Sequence, residues 1–273
     1  MGFIIGGVVL VIIGGVLWFL MGKKAGKLDL LEDTETSSVK EIIENFTSMT
    51  DSFGSGNFSL FTQLKGTAVA NSPLESELSK KDCVYYKATV TREYEELKKS
   101  KDSEGNITKK WVRKSEEVST NENTATGFAL KDASGEILID MNGSEMHTIK
   151  SFSNFEKVND DNSSGTKISI GGFSMSTGGP NSTIRTLGYK SEEVSIPLNY
   201  QLYVLGDAND RSGKLMVSKS KDKKVPFIVS TKSEDELTSS LGSSVNGLKY
   251  SAFACFMTGG ALTAWGLIQA ITG

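Results

Sequence analysis

Histidine and cysteine are nearly missing from this sequence: one histidine, His147, and two cysteines, Cys83 and Cys255, in 273 residues. A zinc or triad site built on several histidines is thereby excluded. The cysteines cannot make a disulfide framework. Cys255 lies in an apolar segment and Cys83 in a polar one, so they are not expected to pair. Charge of one sign is lacking too: 30 Lys and Arg stand against 33 Asp and Glu, a net of −3. No global field therefore points to nucleic acid as a partner. Proline is scarce, at four residues against 28 glycines, which predicts many turns between short elements.

Long apolar runs are confined to the two ends. Phe3 to Met21 is free of charge and long enough, at about 1.5 Å per residue, to cross a hydrocarbon core of about 30 Å. No Lys or Arg precedes it and no small-residue cleavage site follows, so it reads as an uncleaved anchor and not a signal peptide. A second uncharged run begins at Tyr250. The expected layout has transmembrane helices at 3–21 and 250–272, with membrane lipid as their surroundings. The glycine pairs Gly6/Gly7 and Gly14/Gly15 offer small faces for packing on another helix, and so for a homo-oligomer. Lys23, Lys24, Lys27 and Lys249 flank the apolar runs on the side of the central domain. The positive-inside rule then expects that domain on the cytoplasmic side, with both termini opposite.

Between the anchors the period of the pattern changes. Over 37–53, Val39, Ile42, Ile43, Phe46, Met49 and Phe53 recur at three and four, an amphipathic helix that packs on the following sheet or lies on the membrane. From 58 to 241 the period is two. Strands are expected at 60–70, 84–94, 110–118, 127–130, 137–139, 182–187, 194–196, 201–205, 214–217 and 227–230. Turns are expected at 103–106 and 132–135, and the Gly/Ser/Asn-rich stretch 160–180 is expected to be a flexible excursion. Ser233 and Glu236 form a capping-box pattern for a short helix ending near Leu241. The fold class is a β-rich α+β soluble domain, an antiparallel or partly closed barrel, between two transmembrane helices.

Residue types supply no catalytic, cofactor or metal site. The acidic pairs Glu95/Glu96, Glu116/Glu117, Asp160/Asp161 and Glu192/Glu193 sit among lysines or in loops and read as solvated faces. Asp207, Asn209 and Asp210 alternate like calcium ligands, but Ser212 and Ser218 stand where an EF-hand needs glycine and glutamate. A polar turn fits better. Cys83 has no base near it in sequence and reads as a small buried hydrophobe. His147 reads as a solvated or hydrogen-bonded surface residue.

The order of several short motifs nevertheless resembles a known family. They are Leu64-Lys65-Gly66-Thr67-Ala68, Ser72-Pro73-Leu74, Cys83-Val84-Tyr85-Tyr86 and Gly127-Phe128-Ala129-Leu130-Lys131-Asp132, followed by Ser191-Glu192-Glu193-Val194-Ser195-Ile196-Pro197, Tyr203-Val204-Leu205-Gly206-Asp207 and Pro226-Phe227-Ile228-Val229-Ser230. Set between two anchors, they are similar to the GIDE (or BAM) domain of the mitochondrial E3 ubiquitin ligases called MULAN or MAPL and of shorter prokaryotic relatives. In those ligases a RING follows the second anchor and needs about eight Cys and His ligands for two zinc ions. Two Cys and one His cannot supply them, so the expectation is a short form lacking the RING. It would be a membrane-anchored interaction module without its own catalytic site, and its protein partner is not named by the sequence. The alternative is an E3 ubiquitin ligase-like protein or subunit, acting with a RING from another chain.

Overall fold

A computed structural model of the chain describes residues 2–101, 105–158, 167–170, 173–176 and 183–272. The chain runs α1 (Gly2–Asp33), α2 (Val39–Phe53), β1 (Ser59–Val69), β2 (Leu74–Glu75), β3 (Asp82–Lys101), β4 (Ile107–Thr124), β5 (Ala129–Lys131), β6 (Glu136–Ile139) and β7 (Glu145–His147). It continues through β8 (Ile149–Lys157), β9 (Lys167–Ile170), β10 (Phe173–Ser176), β11 (Ile184–Pro197), β12 (Gln201–Asn209), β13 (Met216–Ser218), β14 (Ile228–Ser230) and α3 (Glu234–Thr272).

The period-two runs pair into two sheets. In the first, β1, β5, β6, β13 and β12 follow one another, and β12 returns to β1 in antiparallel register from Ser59↔Asn209 to Thr67↔Gln201. That return closes a five-stranded barrel, which leaves no free edge on those strands. β14 and then β7 extend the sheet from β12. The barrel interior is filled by Leu64, Leu130, Ile139, Val204, Val217 and their neighbours. One end is covered by α2, whose Val39 and Ile42 are fully buried and whose Phe46 and Met49 pack on the same core. The helix therefore lies on the barrel, the first of the two placements its pattern allowed. Its start is set by a capping box: the Ser38 N–H donates to Glu41 Oε2 at 2.7 Å and the Glu41 N–H to Ser38 Oγ at 3.2 Å.

The second sheet has the order β2-β3-β11-β8, with β4 on β3. β11 is one strand where two, at 182–187 and 194–196, were expected. Its middle, Gly188 to Glu193, is polar and interrupts the apolar pattern, but it pairs on both sides, with β3 and with β8. The β3–β4 ribbon is laced by Arg92–Glu116, Glu93–Arg113 and Glu96–Lys114 ion pairs, and Arg185 of β11 reaches Glu95 while stacking on Trp111. Glu116 is thus an exposed charged residue, while Glu95 and Glu96 are half-buried and each paired with a cation. Of the turn expected at 103–106, residues 103 and 104 lie outside the described residues. Most of the 160–180 excursion, with Asp160 and Asp161, lies outside them too. The described part differs from the expectation, because β9 and β10 pair antiparallel. Phe173 gives that hairpin its anchor, packing on the clusters around Cys83 and Tyr86 and around Val90 and Tyr189.

Both terminal helices are longer than their apolar runs. α1 continues twelve residues past Met21, and the short helix expected at Ser233 does not stop at Leu241 but runs through Gly242 to Thr272. A mid-helix glycine costs about 1 kcal/mol, and here neighbouring contacts hold the helix through it. α1 and α3 are each long and apolar enough to cross a membrane, and only 11% and 17% of their most apolar windows are buried. They lie side by side and antiparallel. The contact is a seven-residue series of small residues: Gly7 and Gly14 on α1, Ala252, Gly259 and Gly266 on α3, all buried. A Cβ on Gly7 would lie 2.7 Å from the Gly259 carbonyl oxygen, one on Gly14 2.9 Å from the Phe256 ring, and one on Gly266 2.7 Å from Ile4. Gly6 and Gly15 meet nothing within 4 Å. The glycine pairs are thus split, one member of each against α3 and the other facing outward. Leucine at Gly7 and Gly14 is expected to cost about 1–3 kcal/mol per site by overpacking, while leucine at Gly6 and Gly15 leaves stability unchanged. Thermal unfolding of the detergent-solubilised variants checks this, and equal losses from both pairs would refute the arrangement.

Candidate functional site

The barrel meets the helix pair on the outer face of β12. This strand is buried on both faces: Val204 points into the barrel, while Tyr203 and Leu205 join Leu31 of α1, Ile228 of β14 and Leu237 of α3 in a second core. Phe61 and Leu241 complete it. Double burial explains why residues 202–205 read as a continuous apolar run without alternation.

A buried polar network crosses the same junction. The amide nitrogen of Gln63, 1% exposed, donates to Thr36 Oγ1 at 2.9 Å and to Glu234 Oε2 at 2.7 Å, and its carbonyl oxygen accepts from the Tyr203 hydroxyl at 3.1 Å. Glu234 also holds Lys65 Nζ at 2.6 Å. Burial, with the Glu234 charge adding, pushes the Tyr203 phenol above its ordinary range, so it stays a hydrogen-bond donor. The Ser37 N–H donates to the main-chain carbonyl of Gln63 at 2.8 Å. One side chain thus ties the residues after α1 to β1, β12 and the start of α3. The expected cap of α3 is present: the Ser233 N–H donates to Glu236 Oε2 at 2.9 Å and the Glu236 N–H to Ser233 Oγ at 3.3 Å. Beside this network opens a cleft of about 640 Å³, lined by Lys65, Tyr200, Gln201 and the 231–236 segment.

The cleft brings together donors, acceptors and charge. Cys83 is elsewhere, 1% exposed, and donates to the Leu74 carbonyl. Burial pushes its thiol up to about 11, with Glu193 and Asp82 adding, so it stays protonated at neutral pH, as a small buried hydrophobe should. His147 is half-buried on β7, with Nε2 3.2 Å from Glu145 Oε1. Burial dominates there and lowers its pKa from 6.5, leaving the ring neutral at pH 7. The alternating acids are structural. Asp207 and Asn209 are buried residues of β12, and the turn begins only at Asp210, whose carboxylate accepts from the Phe58 N–H at 3.1 Å. Arg211 pairs with Asp207, placing a guanidinium where a ligand set would hold a cation. Among the described residues no three His, Cys, Asp or Glu come together as a metal site.

A protein-family model described as GIDE, E3 ubiquitin ligase, matches residues 95–264, well over half of the chain. The chain belongs to the GIDE family. No curated protein and no solved structure matches it. The GIDE match starts within β3 and ends within α3, so it takes in the end of β3, the strands from β4 to β14 and most of one long apolar helix. The motifs at 64–68, 72–74 and 83–86 precede it, yet β1 is paired to β12 along its length.

Inside this GIDE segment lies a residue that sequence reasoning placed wrongly. Glu193 was expected on a solvated face with Glu192. Glu192 is paired with Lys150 and Lys190, but Glu193 is 0% exposed. Its carboxylate accepts from the Leu78 N–H at 2.6 Å and from the hydroxyls of Ser79 and Ser151 at 2.6 and 2.7 Å. Burial acts to raise its pKa, and these hydrogen bonds outweigh burial and hold it below its ordinary 4.5. The signal was available in the alternation of Ser191, Glu193 and Ser195, which puts one polar face of β11 inward. A lowered native pKa means stability that is present above the unfolded value and lost as pH falls through the native one. Glu193→Gln is expected to cost about 1–3 kcal/mol at pH 7, with the difference from wild type closing below about pH 4.5. Denaturant unfolding at the two pH values measures it; a pH-independent difference would reject the assignment.

Proposed function

We propose that this GIDE-family chain is a membrane-anchored interaction module that brings no catalytic group of its own. α1 and α3 are the two membrane spans, and the lysines at 23, 24, 27 and 249 favour the barrel on the cytoplasmic side. The observation that carries the reading is the state of the reactive groups. Cys83 is a buried protonated thiol, Glu193 a buried acceptor, and the barrel acids bond to backbone and arginine, while the open cleft has binding groups alone. The 273 residues also hold too few cysteines and histidines for the paired zinc sites of a RING.

The family match to E3 ubiquitin ligases supports a second reading, a ligase subunit that acts with a RING on a separate chain. The full chain in nanodiscs, supplied with ubiquitin, ATP and activating and conjugating enzymes, is expected to form no ubiquitin conjugates. Conjugates made by this chain alone would overturn the proposal. Conjugates formed only after adding a RING-bearing protein would favour the second reading. For the cleft, a photo-reactive residue at Gln201 is expected to give a discrete adduct in native membranes that Tyr200→Ala removes. The same residue at exposed Phe155 is expected to give none.

A further inference from the structure

A second groove lies between the two helices on the membrane side of the barrel, with a volume of about 390 Å³. Its rim carries Lys23, Lys24 and Lys27 from α1 and Lys232 from the segment before α3, against one carboxylate, Glu145. That carboxylate already has partners, Lys27 Nζ at 2.5 Å and His147 at 3.2 Å. Among the described residues Lys23, Lys24 and Lys232 have no carboxylate within ion-pair distance, and Lys23 lies over the Phe19 ring at 4.7 Å. The acids Asp29, Glu32 and Asp33 lie further along α1 and do not line the groove. Hydroxyls of Ser240 and Ser244 and an apolar floor of Ile228, Leu237 and Leu241 complete it.

We propose that this groove binds the phosphate of an anionic phospholipid headgroup. Its height decides for a lipid over a free anion. At about 1.5 Å per residue, Lys23 to Lys27 lie roughly 3–9 Å beyond Met21, the last residue of the apolar run, and Ser244 lies about 9 Å before Tyr250. The headgroup layer of each leaflet is roughly 5–8 Å deep. Lys23 and Lys24 thus stand at phosphate level, with Lys27 and Ser244 at its outer edge and the rest of the groove further from the bilayer. The unpaired lysines supply charge that phosphate would neutralise.

This inference rests on reading α1 and α3 as membrane spans. The test uses the full chain in detergent, titrated with dioctanoyl phosphatidylglycerol, dioctanoyl phosphatidylcholine and inorganic phosphate. Phosphatidylglycerol is expected to bind at least about tenfold more tightly than phosphatidylcholine, at about fivefold per juxtamembrane lysine. The Lys24→Ala/Lys232→Ala variant removes the preference without changing the thermal midpoint, because neither lysine has an ion-pair partner to lose. Lys98→Ala/Lys99→Ala, on the far end of the β3–β4 ribbon, leaves it intact. Equal affinity for the two lipids, a preference that survives in the Lys24/Lys232 variant, or inorganic phosphate competing as well as the lipid would overturn the proposal. Alkaline extraction of membranes separates the two failures. A chain released by alkali defeats the spanning reading, whereas a chain retained without lipid preference defeats this inference alone.

Discussion

Two apolar helices inside a bilayer gain nothing from leaving water, since the lipid around them is as apolar as they are. With α1 and α3 as the proposed spans, what holds them together is contact between closely approaching backbones, and that requires small residues on both surfaces. Gly7 meets Gly259, Gly14 meets Ala252 and Gly266 meets Ile4, and the small residues recur at seven-residue spacing, the spacing that keeps one seam facing a partner along a pair of helices. The two helices then continue side by side beyond their apolar runs, carrying Leu31, Leu237 and Leu241 to one patch on β12 and β14. Placement of the barrel follows from this seam.

At that patch β12 serves two cores at once, Val204 inward to the barrel and Tyr203 and Leu205 outward to the helices. Burying each such side chain contributes about 1.5–3 kcal/mol, and the Gln63 network adds direction to a contact that burial alone would leave free to slide. The domain is therefore seated on its anchors and not strung from them by loose linkers. A fixed seat gives the surfaces around the helix pair a fixed height, and on the proposed spanning arrangement it sets Lys23 and Lys24 at the level of lipid phosphates. It also leaves the cleft at Lys65 and Tyr200 open beside the seat.

Much of this was legible in the residues. Period-two runs marked most barrel strands, Ser38 with Glu41 and Ser233 with Glu236 marked two helix starts, and the ordered motifs marked the family. The rest was hidden for physical reasons. Glycines one residue apart, as in Gly6/Gly7, look alike in sequence, and only the partner helix tells which member is buried. Glu193 resembles Glu192 until Ser79 and Ser151, far away in the chain, arrive to satisfy it. β7 and β8 escaped notice because Glu145, Lys150 and Asn154 give no apolar alternation on strands that pair toward a sheet edge. The role of Gln63 had no local signature, because its partners Thr36, Tyr203 and Glu234 lie on three separate elements.

The pairing of the two terminal helices within one chain is tested most directly by cross-linking in native membranes. Leu28→Cys and Gly242→Cys, in a background with Cys83 and Cys255 replaced by alanine, place two thiols across the seam, where a Cβ on Gly242 would lie 3.9 Å from the Leu28 side chain. A short bifunctional thiol reagent should join them within single chains, seen as a linked peptide pair from a protein that still migrates as a monomer. No link, or links only between separate chains, would contradict the account.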